Sequence, residues 1–273
     1  MLSIITINYN NRAGLEATLK SVQSQTYQDF EHIVIDGHST DGSKEVIEGY
    51  KEKLSYCVSE PDNGVYQAMN KGIAVAKGEY LQFLNSGDVF EDTDVLLDVS
   101  KEFVSALDIY YGDLLFVGKG ESRVQDYPDK LTFSYFKNRS LGHPAAFIKR
   151  DLFERVFYYN ENLKICSDWE FFIHAVCKHN ATYQHISRIV AKFDTHGMSS
   201  SPEYKSLIAE EQDVILRRDF SFFLKEIEQY EVALKRIEKP PYVWVSRLWQ
   251  GRFSRFATAK LLKLLLFIFP KTK

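Results

Sequence analysis

Cysteine is scarce in this chain: Cys57, Cys166 and Cys177 stand far apart. They match neither a zinc spacing nor a disulfide framework, so a stapled scaffold is excluded and a reducing, cytoplasmic compartment is expected. No stretch approaches the roughly 20 apolar residues that a membrane-spanning helix needs. The opening MLSIITINYNN has no basic leader and too short an apolar run for a signal peptide. The first strand-like run is followed by NYNNRAG rather than G-x-G-x-x-G, which argues against a dinucleotide site. G-x-x-x-x-G-K-[ST] occurs nowhere, so a P-loop is out. Neither a Ser-His-Asp nor a Cys-His arrangement stands out, and there is no internal repeat. The formal net charge of -3 gives no global push toward nucleic acid.

What is present is apolar and patterned. With 273 residues, 45% of them hydrophobic, the chain can bury one large domain or one domain with an appendage. LSIITINYN, EHIVIDG, LSYCVSE and GEYLQFLNSGD read as strands. Between them, NRAGLEATLKSVQSQ places Leu15, Leu19 and Val22 at helical spacing. STDGSKEVIEGYKEKL reads as a helix capped by Ser39 or Thr40, and NGVYQAMNKGIAVAKG as one stopped by Gly78. Alternating strand and helix predicts an α/β fold with a mixed, mostly parallel sheet flanked by helices. Beyond Asp88 we expect a helix over 93–104, a strand in DIYYGDLLFVG, a polar segment over 125–137, a helix in SDWEFFIHAVCKH capped by Ser167, and a strand in ISRIVAKFDTHG. The expected domains are 1–202, in halves of about 1–90 and 91–202, then a charged helical region over 203–238 and a basic tail over 239–273.

In open parallel sheets, ligands bind beyond the carboxyl ends of the strands. Three polar clusters fall there: Asp36 to Asp41, Glu60 to Asn63, and Asn85 to Asp88. Each alone reads as an ordinary helix cap; three at one sheet edge point to a site for base or ribose, and for phosphate through a divalent cation.

SIITINYN, SVQSQTYQDFEHIVIDGHSTDGS, PDNGVYQAMNKGIAVAKGEYLQFLNSGD and SDWEFF, in that order over about the first 200 residues, resemble the motifs of family 2 glycosyltransferases, which have the GT-A (Rossmann-like) fold. The resemblance implies an inverting transfer of sugar from a nucleoside diphosphate donor, a UDP-sugar favoured, to a glycan or lipid-linked acceptor in bacterial surface-polysaccharide synthesis. It implies that Asp36 and Asp41 meet the nucleotide, that Asp62, Asn70 and Lys71 line nucleotide and donor sugar, and that Asp88 is the last carboxylate of the D-x-D motif for Mg²⁺ or Mn²⁺. It implies Asp168 as catalytic base, with Trp169 and Glu170 on the acceptor side. The chain departs from the pattern at Ser86, where the first D-x-D carboxylate is usual, and at Gln67, where relatives often carry Asp.

Bland readings stand beside these. Asp168 could be a first-turn acid favoured by the helix dipole, with Glu170 as substitute base. His143 reads equally as a packed loop residue or as a contact to donor phosphate or acceptor. His196 is either structural or the group that completes a metal shell. Tyr66 and Met69 share a helix face and read as core. The tail has basic residues from Lys239 to Lys273, no acid, and Trp244, Trp249, Phe253 and Phe256 among the arginines. It is expected to lie on an anionic membrane surface, which makes the protein peripheral on the inner face of the plasma membrane, or to dock as a helix on the catalytic domain or another subunit. Its apolar content argues against nucleic acid as a partner. The alternative to an enzyme is a noncatalytic nucleotide-sugar or glycan-binding scaffold, which Ser86 alone favours.

Overall fold

The computed structural model describes residues 1–118, 120–227, 230 and 240–268. The chain divides into two compact units, Met1–Ile215 and Leu216–Lys273.

In the first unit every residue of β1 (Leu2–Asn8) is buried, as a parallel strand covered on both faces requires. It pairs in parallel with β2 (Phe30–Asp36) and β4 (Tyr80–Phe83), and β2 pairs in parallel with β3 (Tyr56–Ser59). The register sets Asn8, Asp36 and Ser59 side by side at the carboxyl edge. Helix α1 (Arg12–Gln23) buries Leu15, Leu19 and Val22 as its spacing predicts. Leu15 and Leu19 pack with Val34 and with Ile47 of α2 (Ser43–Tyr50). Helix α3 (Val65–Val75) covers β1 and β2, where a Cβ on Gly72 would lie 2.5 Å from Ile5 Cγ2. Only glycine allows that approach.

The second half adds β5 (Val89–Phe90), α4 (Val95–Ser100), β6 (Ile109–Gly118), β7 (Glu121–Gln125), α5 (Phe133–Asn138), β8 (Ala146–Lys149), α6 (Arg150–Arg155), α7 (Ser167–Cys177), β9 (Tyr183–Asp194) and α8 (Lys205–Asp219). One sheet results, in the order β3-β2-β1-β4-β8-β6-β9-β5, with β7 on β6. Strand β8 runs antiparallel between β4 and β6, whereas β6 and β9 are parallel. Short β5 pairs antiparallel with the end of β9, Val89 opposite Lys192.

Four local expectations are corrected. Helix α2 is capped by Gly42 at φ 95°, not by Ser39 or Thr40, because Ser39 is committed to Asp36. Helix α3 ends at Val75, with Ala76 and not Gly78 at its cap. Gly78 is needed elsewhere: a Cβ there would sit 2.6 Å from the Ser3 nitrogen. The helix expected over 93–104 is only α4, followed by a short 3-10 turn at Phe103–Ser105. Cys166, not Ser167, caps α7. The main-chain N–H groups of Lys164, Ile165 and Cys166 instead donate to the Glu211 carboxylate at 2.7–3.1 Å. That carboxylate fixes the segment leading into α7, while Ser167 Oγ accepts from the Asn160 N–H at 2.5 Å.

In the second unit, helices span Pro240–Leu248 and Arg252–Ile268. Pro240 opens the first, where its missing N–H costs nothing. Of the charged helical region expected over 203–238, residues 228, 229 and 231–238 lie outside the described residues. No helix among the described residues is long and apolar enough to cross a membrane.

Candidate active site

The carboxyl ends of β1, β2 and β4 open onto a cavity of about 1310 Å³ in the first unit. Its walls include Tyr9, Gly37, Asp62, Tyr66, Ser86, Asp88, His143, Asp168, Asp194 and His196. That volume accommodates a substrate larger than a typical drug-sized ligand.

At the nucleotide end, the loops after β1 and β2 brace each other. Asn10 N–H donates to Ser39 Oγ at 2.8 Å, and Thr40 N–H donates to Asn10 Oδ1 at 2.9 Å. Both loops use a non-glycine residue with positive φ, Asn10 and His38. Asp36 lies behind them, fully buried. Its carboxylate accepts from Asn8 Nδ2 (2.7 Å), Ser39 Oγ (2.6 Å), Ser39 N–H (3.0 Å) and Ser59 Oγ (2.5 Å). Burial raises its pKa, but the bonds from Ser39, Ser59 and Asn8 together outweigh that, so it lies below the usual carboxylate range. Asp36 does not line the cavity. Asp41 is exposed and does not line it either: it accepts from Arg12 N–H (2.8 Å) and from Ser43 Oγ (2.6 Å), tying the starts of α1 and α2.

Asp62 does face the cavity, against Gly37, where a Cβ would come within 2.8 Å of its Oδ2. Tyr9 is exposed beside them, and nothing in the alternation of β1 marks it as more than a strand end. Asn70, Lys71 and Gln67 stand back from the cavity. Asn70 bridges the Tyr159 backbone and Glu161, Lys71 pairs with Glu60 at 2.7 Å, and Gln67 joins Asn63 N–H to Glu161. These bonds shape the loops on either side of α3.

Asp88 ends the turn after β4, 4% exposed, with Asp194 N–H donating to its Oδ1 at 3.0 Å. Burial, with a smaller push from the Asp194 charge, lifts its pKa to about 7 against the lowering effect of that N–H and of His143. A carboxylate buried at this point is therefore short of positive charge. His196 Nδ1 lies 2.5 Å from Asp194 Oδ1, and with Nδ1–H donating to that carboxylate a neutral imidazole keeps its lone pair on Nε2. A buried carboxylate short of a counter-charge and an imidazole on the same wall suit a hard or borderline divalent cation, so the residues fit Mg²⁺ or Mn²⁺.

Asp168, second residue of α7, lines the same cavity. The Tyr66 hydroxyl lies 2.9 Å from its Oδ1, and His143 Nδ1 lies 3.4 Å from its Oδ2. His143 Nε2 lies 3.2 Å from Asn85 Nδ2, so the imidazole links the Asp88 turn to Asp168. Burial first, then the Asp168 charge, raises the Tyr66 phenol well above its ordinary value and keeps it a proton donor. Trp169 and Glu170 are corrected: both are buried away from the cavity. Trp169 Nε1 donates to the Phe136 carbonyl, and Glu170 accepts from Asn160. At about 100° per residue, a helix that aims Asp168 at the cavity must turn the next two side chains elsewhere. Two site residues escaped sequence reading. Tyr66 is buried as expected, yet its hydroxyl reaches the site; Asp194 stands two residues before the flagged His196.

A cavity of this size at the carboxyl edge of a parallel sheet, lined by a shielded acid and a positioned carboxylate, suits a group-transfer enzyme. The family model "Glycosyl transferase family 2" matches residues 3–157, and the chain belongs to that family. It is 32% identical over 266 residues to an uncharacterized glycosyltransferase of Mycobacterium tuberculosis (strain H37Rv), covering 94% of this chain and 97% of that one. It is 30% identical to a PGL/p-HBAD biosynthesis glycosyltransferase of Mycobacterium bovis (strain BCG), covering 72% and 78%. Among solved structures, Staphylococcus aureus TarS 1-349 in complex with UDP-GlcNAc superposes with TM-score 0.62 at 21% identity, covering 79% of this chain and 66% of that one. The mannosyltransferase PcManGT from Pyrobaculum calidifontis, in complex with GDP-Man and Mn²⁺, gives TM-score 0.56 at 14% identity over 99% and 88%. The fold is GT-A, and the protein is a nucleotide-sugar-dependent glycosyltransferase.

Proposed function

We propose that this glycosyltransferase inverts the anomeric carbon of a UDP-sugar in a single displacement onto a hydroxyl of a lipid-linked glycan. The observation that carries the reading is Asp168, held by Tyr66 and His143 in the cavity that Asp88 also lines. An acceptor hydroxyl must lose its proton as it attacks, and one carboxylate within hydrogen-bond reach suffices. Tyr66 and His143 hold the Asp168 carboxylate in one orientation, which serves attack along one line. No enzyme nucleophile is required. Asp88 and His196 would hold Mg²⁺ or Mn²⁺, which when bound neutralises charge developing on the leaving diphosphate. Asp62, packed on Gly37, and exposed Tyr9 serve the nucleoside. Asp36 and Asp41 serve it indirectly, by fixing the loops that carry those groups, and Asn70 and Lys71 likewise fix the loops flanking α3.

The UDP preference is supported by the UDP-GlcNAc held by TarS, and the glycolipid acceptor by the biosynthetic name of the mycobacterial relatives. In the second unit Trp244, Trp249, Phe256, Leu261, Leu264 and Phe267 are exposed on helices that carry Arg247, Arg255, Lys260 and Lys263 and no acid. Exposed apolar side chains among cations suit an anionic bilayer surface, so we assign this unit to the inner face of the plasma membrane. Replacing Trp244, Phe256 and Phe267 by glutamate should abolish co-sedimentation with phosphatidylglycerol vesicles; retained sedimentation removes the membrane assignment.

A noncatalytic glycan-binding scaffold is the second reading, favoured by Ser86. Calorimetric titration with UDP, GDP, dTDP and CMP, each with and without Mn²⁺, separates the two. Tight binding of UDP that depends on Mn²⁺ is expected. Tight binding of another nucleotide instead would reassign the donor, and no binding by any of the four to folded protein would favour the scaffold.

A further inference from the structure

The turn at 85–88 carries a single carboxylate, yet a second reaches it from far along the chain. Strand β5 starts immediately after Asp88 and runs antiparallel to the last residues of β9, Phe90 opposite Ala191 and Val89 opposite Lys192. That pairing lays Asp194, the final residue of β9, beside the turn, and its N–H donates to Asp88 Oδ1 at 3.0 Å. Gly87 makes room for it. At φ 108° it sits in the left-handed region, and a Cβ there would lie 3.2 Å from Asp194 Oδ2. Asp194 Oδ1 is taken by His196, through N–H at 3.0 Å and Nδ1 at 2.5 Å. Its Oδ2 is left facing the turn.

Asp88 is 96% shielded from solvent by its surroundings (4% exposed), and its Oδ2 receives no hydrogen bond among the described residues. No lysine or arginine among the described residues pairs with either acid. Buried Asp88, with partly exposed Asp194 beside it and only an imidazole nearby, is an arrangement that a divalent ion would relieve. We propose that Asp194 is the second carboxylate of a divalent-cation site, acting with Asp88 and His196 in place of the acid that position 86 lacks. Two carboxylates and one imidazole leave coordination positions for diphosphate oxygens and water. The site is therefore weak alone and strong with a nucleoside diphosphate.

This rests on the metal role given to Asp88 above, and the experiment separates the two. Free Mn²⁺ is titrated by electron paramagnetic resonance against the full chain with saturating UDP, and again without it. Asp88→Asn should abolish UDP-dependent Mn²⁺ binding, and Asp194→Asn should weaken it by about tenfold or more, the loss typical when a supporting or ligating acid is removed from a metal site. The substitution keeps the main-chain bond to Asp88, and circular dichroism checks the fold. Adding Ser86→Asp to Asp194→Asn should restore most of the affinity by returning a carboxylate to the turn. Loss in Asp88→Asn with unchanged affinity in Asp194→Asn overturns this proposal alone. Unchanged affinity in both, or no Mn²⁺ bound by the wild-type chain with UDP, overturns the metal role of Asp88 and this proposal with it.

Discussion

Asp36 and Asp168 both stand at the edge of the same cavity region, and both belong to motifs, yet their surroundings are opposite. Asp36 ends β2 with four donors filling its two oxygens and no access to the cavity. Asp168 opens α7 with one phenol and one imidazole against it and faces the open space. The same contrast runs through the halves of the sheet. Asp41, Asn70 and Lys71, from the parallel half, spend their polar atoms on neighbouring loops. Asp88, Asp168 and Asp194 line the cavity. An acid whose lone pairs are occupied holds a loop in place; one with a vacancy can take a proton or a ligand.

The sharpest way to test that contrast is Asp168→Asn, which should lower kcat by about a thousandfold while leaving UDP affinity within twofold. Turnover near wild type would remove Asp168 from the chemistry. Next comes Asp36→Ala, whose effect should appear as stability rather than selective loss of rate. It leaves the Asn8, Ser39 and Ser59 donors unpaired inside the protein and should cost about 3 kcal/mol or more, read from urea denaturation. An unchanged midpoint with lost nucleotide binding would show that Asp36 touches ligand after all.

The smallest effect concerns Asp88, whose pKa is lifted to about 7 mainly by burial. Between the ordinary carboxylate pKa and about 7 the folded protein holds a proton that the unfolded chain has released. Metal-free stability therefore falls as pH rises through that window. Asp88→Asn should remove this slope and leave the variant more stable than wild type at pH 8 without metal, by roughly 2 kcal/mol. Equal stability of the two proteins across pH 5 to 8 would show that Asp88 carries no such strain.

Much of the frame could be read from local pattern. The four parallel strands and the buried stripe Leu15, Leu19 and Val22 follow from side-chain periodicity, which neighbours along the chain determine. Helix boundaries at Ser39, Gly78 and Ser167 differ from expectation because groups outside each helix, the Asp36 carboxylate, the β1 backbone and the Asn160 N–H, settle them. Trp169 and Glu170 share a motif with Asp168 but not a direction, since adjacency in a helix is not adjacency in space.

By itself the sequence determined an α/β chain with acids at its strand ends, because burial and turn chemistry act over a few residues. It also carried the family, through short motifs in a fixed order. Which acids remain open to substrate was decided only by tertiary structure. The meeting of Asp88 with Asp194 spans 106 residues and depends on β5 finding β9, while Tyr66 reaches Asp168 across 102. Such contacts are set by strand pairing and by the packing of α3 beside α7's first turn, and no linear spacing encodes them.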